Sequence, residues 1–297
     1  MNPPIKNLKK ICLYVLVSLS MLLYVDAKGQ ETILTGTVID AETLEILPYV
    51  NIGIKKKGIG TVSDVKGKFK LKLDPSQYQN DTLIFSHIGF ETQKVPLKEF
   101  DGLVEIRMRS VINDLQEVVV LGKAPKEKKI GRHSKGLGLT HANFYTYYEK
   151  GVDDRLSKEK GMKFRIKKNC FLKSLNFNVS SNEFESLKFR INFYKLEDGI
   201  PTELIVKKNI IFEINNAFLG WFSVDLQPYE IYLEKELEDV VVSIQWVESV
   251  KLNEKSKYFS LSTATSATEK AYSRDKAMDS WTSHGQSMSF YLDALCN

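Results

Sequence analysis

The sequence predicts an all-β fold of two β-sandwich domains that follow an N-terminal signal peptide. Three observations predict it. Short stretches alternate apolar and polar residues with a period of two along both halves of the chain. Between residues 31 and 110 turn residues separate them about every 8–12 residues, and no run there has a helical periodicity long enough to compete. About 270 residues after the leader are enough for two domains.

The N-terminal segment has the pattern of a secretory signal peptide. It begins with a positive region formed by Lys6, Lys9 and Lys10. The uncharged run Ile11–Val25 is 15 residues long, whereas a membrane-spanning helix needs roughly 20. Small residues follow near Ala27, where a signal peptidase cuts. We predict a signal peptide over residues 1–27, the alternative being an uncleaved anchor. Cys12 begins the apolar run instead of following it, which disfavours lipid attachment.

The charge of the remaining chain argues against a nucleic-acid partner. Without residues 1–27 it has 39 basic and 36 acidic residues, a net charge of +3. Nucleic-acid-binding domains carry larger and more clustered positive charge. The short basic run Lys126–Lys129 is interpreted as part of a solvated connector.

The first domain is predicted over residues 31–121. Its strand-like stretches have turn residues between them and lie at 33–39, 47–54, 58–64, 67–73, 81–91 and 103–108. In the fourth stretch Phe69, Leu71 and Leu73 alternate with lysines, so they are expected to face the core. Gly67 suits a turn with positive φ, and the Asp64 carboxylate is expected to bind backbone amides of that turn.

This domain resembles the carboxypeptidase-regulatory-like domain family. The resemblance is carried by Gly36-x-Val38-x-Asp40, Leu47-Pro48-Tyr49-Val50-Asn51, Gly60-Thr61-x-Ser63-Asp64-x-x-Gly67-x-Phe69, Ser86-x-Ile88-Gly89-Phe90-Glu91 and Leu115-x-Glu117-Val118-Val119-Val120. It spans about residues 32–121 and implies a transthyretin-type, seven-stranded Greek-key sandwich. It also implies similarity to the N-terminal extension of TonB-dependent receptors of the Gram-negative outer membrane.

The family name does not imply peptidase activity in this chain. A metallocarboxypeptidase needs His-x-x-Glu, but the acid after His87 is Glu91, one position too far. No nucleophile elbow, zinc-spaced Cys or His cluster, phosphate loop or dinucleotide fingerprint is found. We therefore expect no enzymatic activity, no catalytic residues, no metal site and no cofactor.

Two interpretations are open for the stretch that follows the sandwich. Glu117–Val120 resembles the segment with which receptors of this group pair with the energy-transducing TonB protein, and an extended β-branched run suits strand addition. The alternative, that it closes the sandwich or connects the domains, is favoured because too few residues follow for a transporter barrel. Residues 122–138 are rich in Gly and Lys and are predicted to be a linker.

The second domain, residues 139–297, is predicted to be a larger, jelly-roll-like β-sandwich with about nine strands. Val240–Ile244 is apolar on both faces, which predicts a central strand. The pattern Phe189–Lys195, Asp198-Gly199-x-Pro201 and Gly220-Trp221-x-x-Val224-Asp225-Leu226 resembles an accessory sandwich without assigned chemistry. Whether Cys170 and Cys296 pair stays open, since the distance between their Cα atoms decides it.

The tryptophans offer the candidate for ligand binding. Trp221 and Trp246 lie in strand patterns and are expected in the core. Trp281 lies in the polar stretch Ser280–Gly285, where no core face is evident, so it is the predicted ligand-binding residue.

These observations predict an exported, non-catalytic protein of the cell envelope, in the periplasm or at the outer-membrane surface. It would bind a glycan, a peptide or a partner protein, and would have no membrane span after signal cleavage. The alternative is an envelope hydrolase whose site lies in loops of the second domain.

Overall fold

The computed structural model describes residues 32–100, 104–111, 124–136, 140–147 and 149–297. The predicted signal peptide and the Glu117–Val120 stretch lie outside the described residues. In the part that is described, the chain is almost entirely β-strand and forms two sandwiches, which confirms the predicted fold class. No helix within these ranges is long and apolar enough to cross a membrane.

The first sandwich contains seven of the described strands and one short helix. The elements are β1 (Thr32–Asp40), β2 (Asn51–Ile54), β3 (Ile59–Val62), β4 (Lys68–Leu73), α1 (Pro75–Tyr78), β5 (Thr82–Ser86), β6 (Gln93–Pro96), a 3₁₀ turn (Leu97–Glu99) and β7 (Val104–Met108). One sheet has the order β4-β1-β7 and the other β3-β2-β5-β6. Strand β1 is antiparallel to β4 and parallel to β7.

Local sequence explains the turn that leads into β4. Gly67 has φ +69°, and a Cβ there would lie 2.7 Å from the Val38 carbonyl oxygen, so a side chain would be both strained and too close. The Asp64 carboxylate accepts hydrogen bonds from the amides of Lys66 at 2.8 Å and Lys68 at 2.9 Å. The three apolar side chains of β4 are buried as predicted.

The second sandwich contains the other described strands. They are β8 (Lys126–Gly131), β9 (Thr140–Asn143), β10 (Glu159–Arg165), β11 (Cys170–Asn182), β12 (Phe184–Glu197), β13 (Ile200–Leu204), β14 (Ile210–Asn215), β15 (Gly220–Asp225), β16 (Tyr232–Leu233), β17 (Asp239–Lys251), β18 (Phe259–Thr265), β19 (Ala271–Arg274), β20 (Thr282–His284), β21 (Gln286–Met288) and β22 (Phe290–Cys296). Short 3₁₀ turns occur at Val152–Arg155, Gln227–Tyr229 and Lys235–Leu237.

These strands form two packed sheets. The seven-stranded sheet has the order β13-β12-β17-β10-β19-β20, with β14 also paired to β12. The eight-stranded sheet has the order β21-β18-β11-β22-β8, with β15 and β16 also paired to β11 and β9 to β18. Strand β17 is buried on both faces, which confirms the predicted central strand. Trp246 on β17 is fully buried among aromatic rings, as expected.

Part of the predicted linker is a strand. Within residues 122–138, β8 pairs with β22 from Lys126–Cys296 to Gly131–Tyr291. The basic run Lys126–Lys129 is therefore not a free connector, and it forms one edge of the eight-stranded sheet. Its sequence shows no apolar alternation because most of its side chains are exposed.

A disulfide joins Cys170 to Cys296 and resolves the question that the sequence left open. The two residues are register partners on the neighbouring strands β11 and β22, and their Cα atoms lie 4.2 Å apart. Both cysteines are buried at the end of the sandwich core.

Candidate functional site

The two sheets of the second sandwich differ in what covers their outer faces. The first sandwich packs on the outer face of the seven-stranded sheet, where Tyr49 and Val62 form an apolar cluster with Val247. The backbones of the two domains also approach each other closely at this face. A Cβ on Gly53 or Gly60 would lie 2.5 or 2.7 Å from the Ala277 carbonyl oxygen. This outer face is therefore an interface between the two domains.

Arg190 of β12 is the buried centre of this interface. Its Nη2 donates to the Tyr49 carbonyl at 2.6 Å, Nη1 to Gln245 Oε1 at 3.2 Å and Nε to Asn209 Oδ1 at 2.9 Å. Gln245 in turn donates to Asn51 Oδ1 at 2.8 Å. Burial lowers the pKa of Arg190 to about 10, so the guanidinium stays charged at neutral pH. The two domains are thus joined by hydrogen bonds that are themselves shielded from water.

The edge of the same interface carries a second polar contact. The Tyr49 hydroxyl donates to Glu248 at 2.9 Å, and Lys188 pairs with the same carboxylate at 2.6 Å. Burial, and then the bond to Glu248, raise the pKa of Tyr49 to about 12. Tyr49 therefore serves as a neutral hydrogen-bond donor.

Glu159 of β10 is a fully buried carboxylate on this covered face. It accepts from Arg274 Nε at 2.8 Å and Asn192 Nδ2 at 2.8 Å, and also from the hydroxyls of Ser243 and Tyr194. Both of its oxygens have donors from the fold. A carboxylate satisfied in this way holds strands together and has no lone pair directed at a substrate.

A second buried ionic group lies beside the cleft between the domains. Glu149 accepts from Arg155 at 2.7 Å and from Lys158 at 2.5 Å. The cleft has a volume of about 1010 Å³, and Lys72 of the first domain reaches across it to Asp154 at 3.1 Å. Acidic and basic side chains line it in similar number. The cleft therefore has no strong preference for a charged ligand.

The outer face of the eight-stranded sheet carries an aromatic pair. Trp221 of β15 and Tyr291 of β22 lie on either side of β11, and their ring centroids are 5.3 Å apart at an interplanar angle of 68°. Because two strand spacings are about 10 Å, the rings must lean toward each other above β11. Asn176 and Asn178 on β11 are accordingly buried, while Trp221 is 38% exposed.

A polar trough of about 570 Å³ lies beside the ring pair. It crosses the strands β15, β11, β22 and β8, and the residues along it are Ser223, Asp225, Gln227, Lys173, Ser174, Asp293, Ala294, Glu127, Lys128 and Lys129. On its floor Ser174 and Asn176 both donate to Asp293 Oδ2, at 3.2 and 3.0 Å. Lys129 lies 4.5 Å from the centroid of the Tyr291 ring. We call Trp221, Tyr291 and this trough the outer-face site.

Trp281, the residue predicted from sequence, lies on the opposite side of the sandwich from the outer-face site. It is partly buried and packs edge-on against Tyr194 with a centroid separation of 5.3 Å. The Arg274 guanidinium lies 4.7 Å from its ring centroid. The ring is therefore part of a small cluster with Tyr194 and Tyr272 on the face that the first domain also covers. Its role in binding stays a prediction.

The expectation that Trp221 belongs to the core is wrong. The neighbours Phe222 and Val224 face the core, so Trp221 shares the opposite face with Ser223 and Asp225. That alternation is visible in the sequence and was the signal for an exposed tryptophan. The contribution of Tyr291 was not visible, because β22 joins β11 from more than a hundred residues away.

Among the described residues, no group of three or more His, Cys, Asp or Glu side chains lies where it could hold a metal ion.

Comparison with known proteins confirms the resemblance of the first domain. Residues 34–120 match the model of the CarboxypepD_reg-like domain family. TonB-dependent receptor P39 of Formosa agariphila is 31% identical over 115 residues, 39% of this chain and 11% of the receptor. TonB-dependent receptor SusC of Bacteroides thetaiotaomicron is 32% identical over 110 residues, 36% of this chain and 10% of the receptor. The chain thus spans about a tenth of the length of these relatives.

A solved structure from Bacteroides uniformis, provisionally named as a carbohydrate-binding protein, covers 86% of this chain and 97% of its own. The sequence identity is 10% and the TM-score 0.20, so this likeness carries no argument about the site.

Proposed function

We propose that this protein is exported to the envelope of a Gram-negative bacterium and binds a glycan there without acting on it chemically. The observation that carries the proposal is the outer-face site, where a partly exposed tryptophan and tyrosine stand beside a trough of hydroxyl, amide and carboxylate groups. Aromatic faces pack against the apolar faces of sugar rings, and polar groups bind their hydroxyls.

Two observations support export. The N-terminal sequence has the lysines and the short apolar run of a secretory signal. The Cys170–Cys296 disulfide is the kind of bond that persists in the periplasm or outside the cell, and thiols in the cytosol are kept reduced. The similarity of the first domain to TonB-dependent receptors agrees with a location in the envelope.

The state of the buried carboxylates supports binding without catalysis. General acids and bases need a hydrogen-bonding position that faces the substrate. Glu159 and Glu149 are instead engaged by donors of the fold. The first domain, which matches a regulatory-like family, then acts as a support that fixes one sheet of the second sandwich and leaves the other facing outward.

Fractionation and a binding assay with the full chain test this proposal. We expect the protein in the envelope fraction, with its N-terminus at Lys28 or Gln30 by mass spectrometry. The purified protein should be retarded in native gels that contain at least one polysaccharide of a panel, and chromatography should find no cleavage products. An intact Met1, retardation by no polysaccharide, or release of products would each contradict the proposal.

A further inference from the structure

We infer that the outer-face site takes a neutral glycan chain of several sugar units, which lies across strands β15, β11, β22 and β8 with one sugar stacked on Trp221. This inference rests on the proposed function, since it assumes that the protein binds a glycan. It adds the charge class, the length and the direction of the bound chain, and names Trp221 as the stacking residue.

The charges of the trough favour a neutral ligand. Lys129 pairs with Asp293 at 3.0 Å, and Lys173 pairs with Glu127 at 2.7 Å. Of the two other charged residues along the trough, Asp225 lies on the outer face, whereas Lys128 alternates with Lys129 on β8 and is the register partner of the buried Ala294. The trough therefore carries little net charge. An acidic sugar would need an excess of cations, and an ammonium-bearing sugar an excess of carboxylates. Hydroxyl groups need only donors and acceptors side by side, which is what paired charges offer.

The two rings of the aromatic pair differ in their contacts and therefore in the roles that we infer for them. Tyr291 is in contact on several sides, with Lys129 at 4.5 Å from its centroid, His133 at 6.3 Å and Trp221 at 5.3 Å. Trp221 has one ring partner among the described residues and is 38% exposed. Trp221 is therefore the ring that receives the sugar, and Tyr291 is a positioning residue that holds it.

The dimensions of the trough favour a chain over a single sugar. It extends over four neighbouring strands, and three strand spacings are about 14 Å. Exposed polar groups are distributed along this length, from Ser223 and Asp225 on β15 to Glu127 and Lys129 on β8. A monosaccharide at the ring pair would leave most of these groups unused.

A peptide that binds as an added strand is disfavoured on this face. Strand addition needs an exposed row of unpaired backbone groups. On the floor of the trough β11 pairs with β15 on one side and β22 on the other, and β22 pairs with β8. The backbone of β11 and β22 under the trough is thus already hydrogen-bonded on both sides. Strands β8 and β15 are paired on one side only among the described strands, and a strand added there would run along the edge of the sheet and not across the trough.

Affinity gel electrophoresis and titration calorimetry with the disulfide-bonded full chain test the inference. The neutral probes are laminarin, xylan and galactomannan, and the acidic probes are alginate and polygalacturonate. We expect binding to a neutral probe, and we expect Trp221→Ala to weaken it by about five- to tenfold, the usual loss for one aromatic contact. Because added salt screens charges, binding that involves none should be unchanged by salt.

Two further variants keep the test decisive if Trp221→Ala alters folding. Ser223→Gln puts a longer neutral side chain into the trough, away from the ring pair, and should also weaken binding severalfold. Trp281→Ala tests the rival prediction made from the sequence, in which Trp281 binds the ligand. The present inference expects binding to be unchanged in this variant, because Trp281 lies on the opposite sheet.

The outcomes separate this inference from the proposed function. If the wild-type protein binds no probe, the proposed function fails. If it binds and both Trp221→Ala and Ser223→Gln bind equally well, the site is wrong and the function stands. Binding to acidic probes alone would overturn the inferred charge class of the ligand, and a loss of binding in Trp281→Ala alone would overturn the inferred site.

Discussion

The three tryptophans differ widely in the exposed fraction of their side chains. Trp246 has no exposed surface and packs against Phe184 and Phe189 at centroid distances of 5.2 and 5.5 Å. Trp221 is 38% exposed, and Trp281 lies between these extremes in a small cluster. Tryptophan thus occurs in one molecule in the core, on an exposed face of a sheet and in a small, partly buried cluster.

Substitution of these residues should give different losses of stability. Trp246→Ala should lower the free energy of unfolding by about 3–5 kcal/mol, because it opens a large cavity in the aromatic core. Trp221→Ala should cost less than about 1.5 kcal/mol, since much of its ring is already in water. Urea unfolding measures both, and similar midpoints for the two variants would contradict the assignment.

Lys160 gives the protein a pH dependence of stability in the alkaline range. Its Nζ lies 5.8 Å from the Phe144 ring centroid. Burial, and then the charge of Lys158, lower its pKa from 10.5 to about 8, although Asp275 and Glu149 act in the opposite direction. Between these two pH values the unfolded chain binds more protons than the folded one, so the stability contributed by this group rises with pH.

Removal of this amine tests the effect. Lys160→Met should stabilise the protein by about 1–3 kcal/mol at pH 7, because it removes the cost of a buried charge. The gain should shrink from pH 8 to pH 10.5, where the wild-type amine loses its proton in the folded state. Urea unfolding of both proteins across this range measures the difference, and a gain that stays constant with pH would contradict the explanation.

At the scale of elements, the positions of the strands were easier to predict than the strands with which they pair. The alternation in β4 and the two-sided apolar run in β17 were confirmed. Strand β8 was missed because Lys126–Gly131 has no alternation, and its pairing with β22 depends on residues at the far end of the chain. For the same reason the outer-face site, which joins β15 to β22 over β11, could not be assembled from local patterns. The prediction for Trp281 rested on its polar neighbours alone.

Strand β8 should matter for the stability of the second sandwich. A fragment of residues 139–297, which follows the boundary predicted from sequence, lacks β8 and leaves β22 as an unpaired edge. It should melt at a lower temperature and associate more than a fragment of residues 124–297, because the mostly apolar β22 then replaces the lysine-rich β8 as the edge to which strands of other chains can add. Thermal melting and size-exclusion chromatography compare the two, and equal behaviour would place β8 outside the domain.

The disulfide should stabilise the pairing of β11 with β22. Cys170 and Cys296 are 126 residues apart in the chain, and closing a loop of that size stabilises the folded state by about 2–5 kcal/mol. A variant with Cys170→Ser and Cys296→Ser should lose that amount in urea unfolding. Added reductant should then leave the variant unchanged but destabilise the wild type. A wild type that is insensitive to reductant would show that the bond is not formed.

For the whole molecule, the interface around Arg190 should make the two domains unfold together. In Arg190→Ala the Tyr49 carbonyl and Gln245 lose a buried partner, at a cost of about 1–3 kcal/mol each. Calorimetry should show one transition for the wild type and two for the variant. Arg165→Ala is the control, because Arg165 is exposed and pairs only at the surface with Asp239. Two transitions in the wild type would show that the domains are independent.

The contact of the Trp221 ring with Tyr291, which Lys129 contacts in turn, has a consequence for the kinetics of the proposed binding. A ring already fixed in its bound orientation loses little conformational entropy when a ligand arrives. Association should then be governed by diffusion and show one exponential phase, without a slow rearrangement. Differences in affinity among related ligands would appear chiefly as differences in how long each one stays bound.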